Sequence, residues 1–106
     1  KMSQEATWFK ALNQSWSNNR MLDATKSVSL AVVENGLPAV RLAKFHSFFG
    51  YGFRTFVDRR SHLFSSLIEM QSSCEILWHF PLTKEVYRIS SCRCDVSTEE
   101  EVMEVW

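Results

Sequence analysis

The residues of this 106-residue chain that are best suited to chemistry are arginines that stand close to a hydroxyl group or on a short strand. Arg60 directly precedes Ser61 at the start of a stretch that reads as a short helix. A guanidinium and a hydroxyl near a helix N-terminus can bind an anion. Arg41 stands on a second apolar stretch, GLPAVRL. The pattern predicts an anion site, and the alternative is that Arg59 and Arg60 only begin a solvated helix.

Other catalytic patterns are weak in this sequence. The three histidines lie on different predicted elements, and neither His-x-x-x-His nor Cys-x-x-Cys spacing is present, so metal catalysis is not expected. Nucleophile elbows, phosphate-binding glycine loops and dinucleotide fingerprints are also absent. Cys74, Cys92 and Cys94 form an odd set that we interpret as reduced thiols.

Composition limits the partners and the size of the protein. Lysine plus arginine and aspartate plus glutamate number twelve each, so no net field favours nucleic acid or an anionic membrane, and neither partner is expected. No long apolar run or signal peptide is visible, which makes the cytoplasm the expected location. The length fits a single domain over residues 1–106.

Helices are predicted at both ends and in the middle of the chain. Large apolar side chains recur at helical spacing near the N-terminus, at Trp8, Leu12 and Trp16. A short helix is expected from Arg60 to Met70. Ser97 and Glu100 form a capping box, which predicts a final helix running to Trp106.

The firmest prediction from local sequence is a β-hairpin centred on Asn35 and Gly36. This dipeptide accepts the positive φ angles of a type I′ turn, and apolar residues alternate on both sides of it. We expect Val28, Leu30 and Val32 on one face of the first strand, with Ala31 and Val33 on the other.

Three further strands complete the predicted sheet. The stretch HSFFGYG is expected to connect the first hairpin to a strand over Phe53–Val57. A second hairpin is expected from 74–80 to 85–94 around Pro81. Five strands with helices at the periphery predict a small antiparallel barrel.

Three motifs occur in the order GLPAVRL, GFRTFVDRRS and WHFPLTKEVYRIS. In this order and spacing the chain resembles, from residue 7 to residue 95, the flavin-binding split barrel of the pyridoxamine 5'-phosphate oxidase family, in its branch of FMN-binding oxidase-like proteins. The resemblance implies a mainly β fold with peripheral helices, a small antiparallel Greek-key split β-barrel, and FMN as the cofactor.

The resemblance also implies roles for residues of the second strand. Arg41 takes the position of an arginine that helps to bind the FMN phosphate. His46 stands where the family has a basic residue that faces cofactor and substrate, and Lys44 offers a cation on the same strand face. The alternative is that Lys44 and His46 are solvated residues at the edge of the sheet.

The third strand and the segment after it correspond to the family's main flavin and phosphate contacts. Phe56 matches an aromatic contact, whereas Val57 replaces a threonine. Arg60 and Ser61 match the divergent branch. His62 and the leucine after it replace an Arg-Lys pair of the founding oxidases, so two phosphate contacts are weakened.

The last hairpin matches the family at Trp78 and Arg88, but Val86 replaces a glutamine that contacts the flavin ring. Arg88 is therefore a further candidate for cofactor binding. Trp78 and Phe80 are interpreted as core or dimer-interface aromatics in preference to flavin-stacking groups. If they and the Phe48–Phe49 pair are exposed on the small barrel, a second copy should cover them.

Two functions from different classes follow from the sequence. The first is an FMN-binding, oxidoreductase-like homodimer with FMN between the subunits, passing hydride between the flavin and a small molecule that the sequence does not identify. The alternative is a non-catalytic split barrel with a degenerate flavin site, acting in protein interaction. Family enzymes continue with a C-terminal segment that this chain is expected to lack.

Overall fold

The fold is a single antiparallel sheet with helices packed at its periphery, in a computed structural model that describes residues 2–96 and 102–105. The sheet order is β5-β4-β1-β2-β3-β7-β6. Its strands are β1 Ser27–Glu34, β2 Leu37–Phe49, β3 Gly52–Phe56, β4 Cys74–Phe80, β5 Glu85–Cys92, β6 Cys94–Val96 and β7 Val102–Val105. The predicted fold class is confirmed, with two more strands than the sequence indicated.

The first hairpin forms as predicted. Asn35 and Gly36 have φ angles of 53° and 78°, and Glu34 pairs with Leu37 across the turn. Alternate residues of β1 are buried, and these include Val28, Leu30 and Val32, while Ala31 and Val33 are exposed. The turn and the alternation together fix which face of β1 meets the core.

Replacing Gly36 by alanine should destabilise the fold by about 1–2 kcal/mol, which is the cost of a left-handed conformation for a residue with a Cβ. A Cβ at this position would meet nothing within 4 Å, so backbone strain is the whole effect. Urea unfolding measures it, with exposed Leu37→Ala as the control. A Gly36→Ala protein as stable as wild type would contradict the turn assignment.

Strand β2 is longer than the sequence indicated. It continues to Phe49, through residues that were expected to form a connection, and the chain turns at Gly50 with φ 59° before β3 begins at Gly52. A register shift between Phe45 and Ser47 interrupts the β2–β3 ladder. Phe45 and Phe48 both pack against the core, which explains why the aromatic stretch joins the sheet.

Helix α1, Met2–Asn19, lies against the sheet through one face, as predicted. Leu12 is buried in the core, and Phe9 and Trp16 pack against it. Trp8 lies at the rim of this face and remains 40% exposed. A 3₁₀ turn at Asp23–Lys26 then leads the chain into β1.

Trp78 and Phe80 are core residues, which is the first of the two predicted roles, and they add no exposed surface for a second copy to cover. Both are 0% exposed, because alternate residues of β4 face the core and β4 lies between β1 and β5. The Trp78 ring lies 5.0 Å from Phe45 and 5.3 Å from Phe53, centroid to centroid. Its Nε1 donates a 2.9 Å hydrogen bond to the backbone oxygen of Thr25.

The middle helix begins close to the predicted position. Helix α2 covers His62–Phe64 and continues as a π-helical turn over Ser65–Glu69. Ser61 caps it, because its hydroxyl accepts a 3.1 Å hydrogen bond from the backbone N–H of Phe64.

The predicted C-terminal helix to Trp106 is wrong over 102–105, which form β7. This strand pairs with β3, and Val105 lies opposite Phe53 with its side chain buried. Pairing satisfies the backbone groups at the open edge of β3, and the valines of β7 favour a strand. The predicted capping residues Ser97 and Glu100 lie outside the described residues.

Within the described part of the chain, no helix has the length and apolar character needed to span a membrane.

Candidate functional site

Residues from the first two motifs meet around one depression of about 380 Å³, which we call the Arg41 pocket. Strand β2 contributes Arg41 and Leu42, and the end of β3 contributes Phe56 and Val57. The pocket is completed by the segment that enters helix α2, with Asp58, Ser61, His62 and Leu63. Five of the predicted site residues therefore lie together: Arg41, Phe56, Val57, Ser61 and His62.

Arg41 is held by a carboxylate that the sequence reasoning missed. Its Nε donates to Oε2 of Glu34 at 3.0 Å, and its Nη2 donates to Oε1 at 2.6 Å. Glu34 is only 7% exposed, whereas the Arg41 side chain is half exposed. The fork orients the guanidinium at the pocket and neutralises part of its charge.

The alternation of buried residues in β1 could have indicated that the Glu34 side chain faces the core side of the sheet. Val28, Leu30 and Val32 face the core, and Glu34 follows them at the same period. A carboxylate on that face needs a partner, and Arg41 pairs opposite Leu30 on the same side of the sheet.

The ion pair shifts the pKa values of both partners. The hydrogen bond from Arg41 lowers the pKa of Glu34 below its usual value of 4.5, and burial opposes this only in part. The hydrogen bond to Glu34 raises the pKa of Arg41. The pair is therefore fully charged at neutral pH.

Acid should destabilise the fold, in part because it protonates Glu34 and so weakens the ion pair with Arg41. Because the folded pKa of Glu34 is lowered, its contribution is present above pH 4.5 and is lost as pH falls below that value toward the folded pKa. We expect Glu34→Gln to show a smaller stability loss between pH 6 and pH 3, roughly the titration range of carboxyl groups, than wild type. Urea midpoints at each pH measure this, with Glu69→Gln as the control. An unchanged acid profile in Glu34→Gln would contradict the assignment.

Arg60 does not line the Arg41 pocket. Its backbone N–H donates to Oδ1 of Asp58 at 2.9 Å, and its Nε lies 3.3 Å from the same oxygen. The backbone bond and the side-chain bond from Arg60 lower the pKa of Asp58. Asp58, not Arg60, thus presents a charge to the pocket in this conformation.

The polar groups that remain in the Arg41 pocket are few. The Ser61 hydroxyl donates to the backbone oxygen of Asp58 at 2.6 Å while it caps helix α2. Val57 and Leu63 are buried and give the pocket an apolar wall. His62 is exposed at its rim and offers an imidazole.

A second depression of about 710 Å³, the Lys44 pocket, adjoins the Arg41 pocket at Phe56, which lines both. Lys44 and His46 line the Lys44 pocket, as do Trp16 and Phe45. The His46 ring packs edge-on against Phe56 at 5.1 Å between centroids, and its Nδ1 lies 2.8 Å from the Ser47 hydroxyl. Two more predicted site residues, Lys44 and His46, are thus continuous with the first group.

Arg88 stands apart from these pockets. It lies on β5 opposite Leu77, is largely exposed, and approaches Glu75 at 3.8 Å. It lines a shallow, mostly apolar depression on the outer face of the sheet together with Val40 and Leu77. Within one chain, Arg88 therefore does not join the Arg41 pocket.

The two joined pockets suit a long ligand with an anion at one end and a flat ring at the other. Arg41 supplies an oriented guanidinium, and Phe56 supplies an aromatic wall between the pockets. Lys44 and His46 supply hydrogen-bond donors beyond it. The residues present therefore fit a flavin nucleotide, with Glu34 and Asp58 as the charges that oppose its phosphate.

Comparison with known proteins agrees with this geometry. Residues 5–96 match the family model described as pyridoxamine 5'-phosphate oxidase, FMN-binding domain. The solved structure of a pyridoxamine 5'-phosphate oxidase-related, FMN binding protein from Nostoc punctiforme PCC 73102 is 30% identical, with a TM-score of 0.73. The match covers 88% of this chain and 50% of that one, so this chain spans about half of its length. No curated protein matches the chain.

Proposed function

Since this chain belongs to the pyridoxamine 5'-phosphate oxidase FMN-binding domain family, we propose that it binds FMN across the Arg41 and Lys44 pockets and acts as a flavin-dependent oxidoreductase. The observation that carries the proposal is the convergence of Arg41, Phe56, Ser61 and His62 on one pocket, although they come from two separated motifs. The named property of the Nostoc protein, FMN binding, supports the same assignment.

Each part of the cofactor has residues that could hold it. Arg41 would bind the phosphate, with Ser61 and His62 beside it. Phe56 would contact the flavin, and Lys44 would place a positive charge near the ring. FMN supplies hydride-transfer chemistry when it is bound, and the protein supplies position and electrostatics.

One specific observation favours the second candidate, a non-catalytic split barrel with a degenerate flavin site. Arg41 is engaged by Glu34 and Arg60 by Asp58, so the cations of the expected phosphate site already have internal partners. Val57 and Val86 add no polar contact where the family has one. A phosphate must share Arg41 with Glu34, which weakens the site relative to one with an uncommitted guanidinium.

We propose in addition that the protein is a homodimer and that the outer face of the sheet is its interface. This face carries exposed aliphatic side chains on neighbouring strands: Val33, Val40, Leu42, Leu77 and Val86. Leu42 belongs both to this face and to the rim of the Arg41 pocket. A second copy on this face would cover apolar surface and close the pocket rim, and it would bring Arg88 of each copy toward the other copy's site.

The interface is tested by placing a charge on it. Val40 is 70% exposed, so Val40→Asp should leave the monomer folded while desolvation of the new carboxylate disfavours the dimer. Sedimentation should show a wild-type dimer, a Val40→Asp monomer, and a dimer for the control Leu82→Asp on the β4–β5 turn. A wild-type protein that sediments only as a monomer at micromolar concentration would contradict the homodimer.

The proposed cofactor is tested by the visible spectrum of the protein after incubation with FMN and gel filtration. We expect flavin absorption to co-elute with the protein, in its oxidised form and bleached by a chemical reductant. Elution of all flavin in the small-molecule fraction would favour the non-catalytic module. The cytoplasmic location, expected because the sequence shows no long apolar run or signal peptide, stays a prediction.

A further inference from the structure

An apolar cavity of about 220 Å³ lies between helix α1 and the sheet, and we call it the Trp8 cavity. Residues from α1, β3, β4, β5 and β7 line it, and none of them lines the Arg41 or Lys44 pocket. The flavin site proposed above therefore does not account for it. Whatever the outcome for FMN, the wall of this cavity is made of different residues.

An irregularity in β5 helps to create the cavity. Cys74 pairs with Cys92 but Ile76 pairs with Ile89, so one residue of β4 opposes two of β5. Ser91, in this bulge, has a φ of 56°. An extra residue of this kind bends a strand, and Ser90 and Ser91 of the bulge line the cavity.

The walls of the Trp8 cavity are aromatic and aliphatic. Phe9 packs edge-on against both Trp8 and Tyr51, each at 5.8 Å between centroids. Phe53, Ile76 and Ile89 form the inner wall. Edge-to-face packing of this kind leaves ring faces available to a further flat ring.

Among the described residues, none that lines the Trp8 cavity carries a charge. Two polar groups at the bulge already have a partner, because the Ser90 hydroxyl donates to Glu75 at 3.2 Å and the Ser91 N–H donates to the same carboxylate at 3.4 Å. A charged ligand would lose its hydration without compensation here, so the wall chemistry selects a neutral apolar molecule.

The volume of the Trp8 cavity and its opening to solvent suit a ligand the size of one or two aromatic rings. A dry apolar cavity of about 150 Å³ accepts benzene in another protein, and the Trp8 cavity is larger, at about 220 Å³. Trp8 and Tyr51 are both part of the lining and partly exposed, which opens the cavity to solvent on that side. We propose that the Trp8 cavity is a binding site for a small, uncharged aromatic molecule, distinct from the flavin site.

Saturation-transfer NMR with indole tests the proposal on the wild-type protein. Indole should receive saturation from the protein, and benzoate, a flat ring with a charge, should receive none at the same concentration. Nuclear Overhauser contacts should connect indole to Trp8, Tyr51 and Ile89. Absence of transfer to indole, or contacts only to side chains outside the cavity, would overturn the proposal.

A variant that fills the Trp8 cavity provides a second test of the proposal. Ile89→Trp places an indole inside the cavity and should weaken indole binding at least roughly tenfold, whereas Met70→Trp adds the same group at an exposed position and should not. A folded Ile89→Trp protein that binds indole as tightly as wild type would overturn the site. If Ile89→Trp does not fold, the contacts measured on wild type decide the question.

Discussion

Replacing Arg41 by alanine is expected to weaken FMN binding roughly ten- to a hundredfold, the usual range for losing a charge-assisted contact. The guanidinium is the one described cation whose position is fixed at the Arg41 pocket, because Glu34 holds it through two hydrogen bonds. Titration of FMN, followed by quenching of flavin fluorescence, measures the affinity. Equal affinity in Arg41→Ala and wild type would remove Arg41 from the site.

Glu34 supplies the necessary controls for this experiment. Arg41→Ala leaves the nearly buried Glu34 carboxylate without its hydrogen-bonding partner, so some loss of stability accompanies the loss of affinity. The double variant Glu34→Gln with Arg41→Ala removes that charge and should still bind FMN weakly. Glu34→Gln alone releases the guanidinium and should retain FMN at least as tightly as wild type. Arg93→Ala, an exposed arginine outside the pocket, controls for loss of net charge.

Replacing Trp78 by alanine is expected to destabilise the fold by about 3–5 kcal/mol, the range for deleting a buried aromatic side chain. Trp78 is 0% exposed, and its ring lies within 5.3 Å of Phe45, Phe53 and Phe80, centroid to centroid. Because small domains have total stabilities of about 5–15 kcal/mol, this loss removes a large share of the free energy of unfolding. Urea unfolding followed by circular dichroism measures the loss.

Two further variants test whether the loss of stability comes from the burial of the Trp78 ring. Trp8→Ala removes the same side chain from a partly exposed site and should cost much less than Trp78→Ala. Trp78→Phe keeps a ring but loses the hydrogen bond to Thr25, so it should fall between wild type and Trp78→Ala. A loss below about 1 kcal/mol for Trp78→Ala would contradict the central place of this ring in the core.

The parts of the fold that were predicted correctly are those with a local cause. Asn35 and Gly36 have a local preference for the positive φ angles that they adopt, and the alternation in β1 follows from the core on one side. Strand β7 depends instead on pairing with β3, which lies about fifty residues earlier in the chain. Over 102–105, a long-range ladder therefore stands where the sequence predicted a helix.

The candidate site was predicted only in part, because some of its residues depend on contacts that the sequence does not specify. The resemblance assigned Arg41, Phe56 and Ser61 to one ligand, and they do share a pocket. It could not indicate that Asp58 draws Arg60 away from that pocket, since this depends on side-chain geometry within a turn. Arg88 lies on the outer face, where only a second copy could bring it to a flavin site.

The most direct test of the account compares FMN with riboflavin in parallel titrations of the wild-type protein. The two ligands share the isoalloxazine ring and differ in the phosphate, which is the group assigned to Arg41. We predict that FMN binds saturably and that riboflavin binds at least roughly tenfold more weakly, because it forgoes the charge-assisted contacts. Equal affinities, or no measurable binding of FMN at high micromolar concentration, would contradict a flavin nucleotide site in this chain.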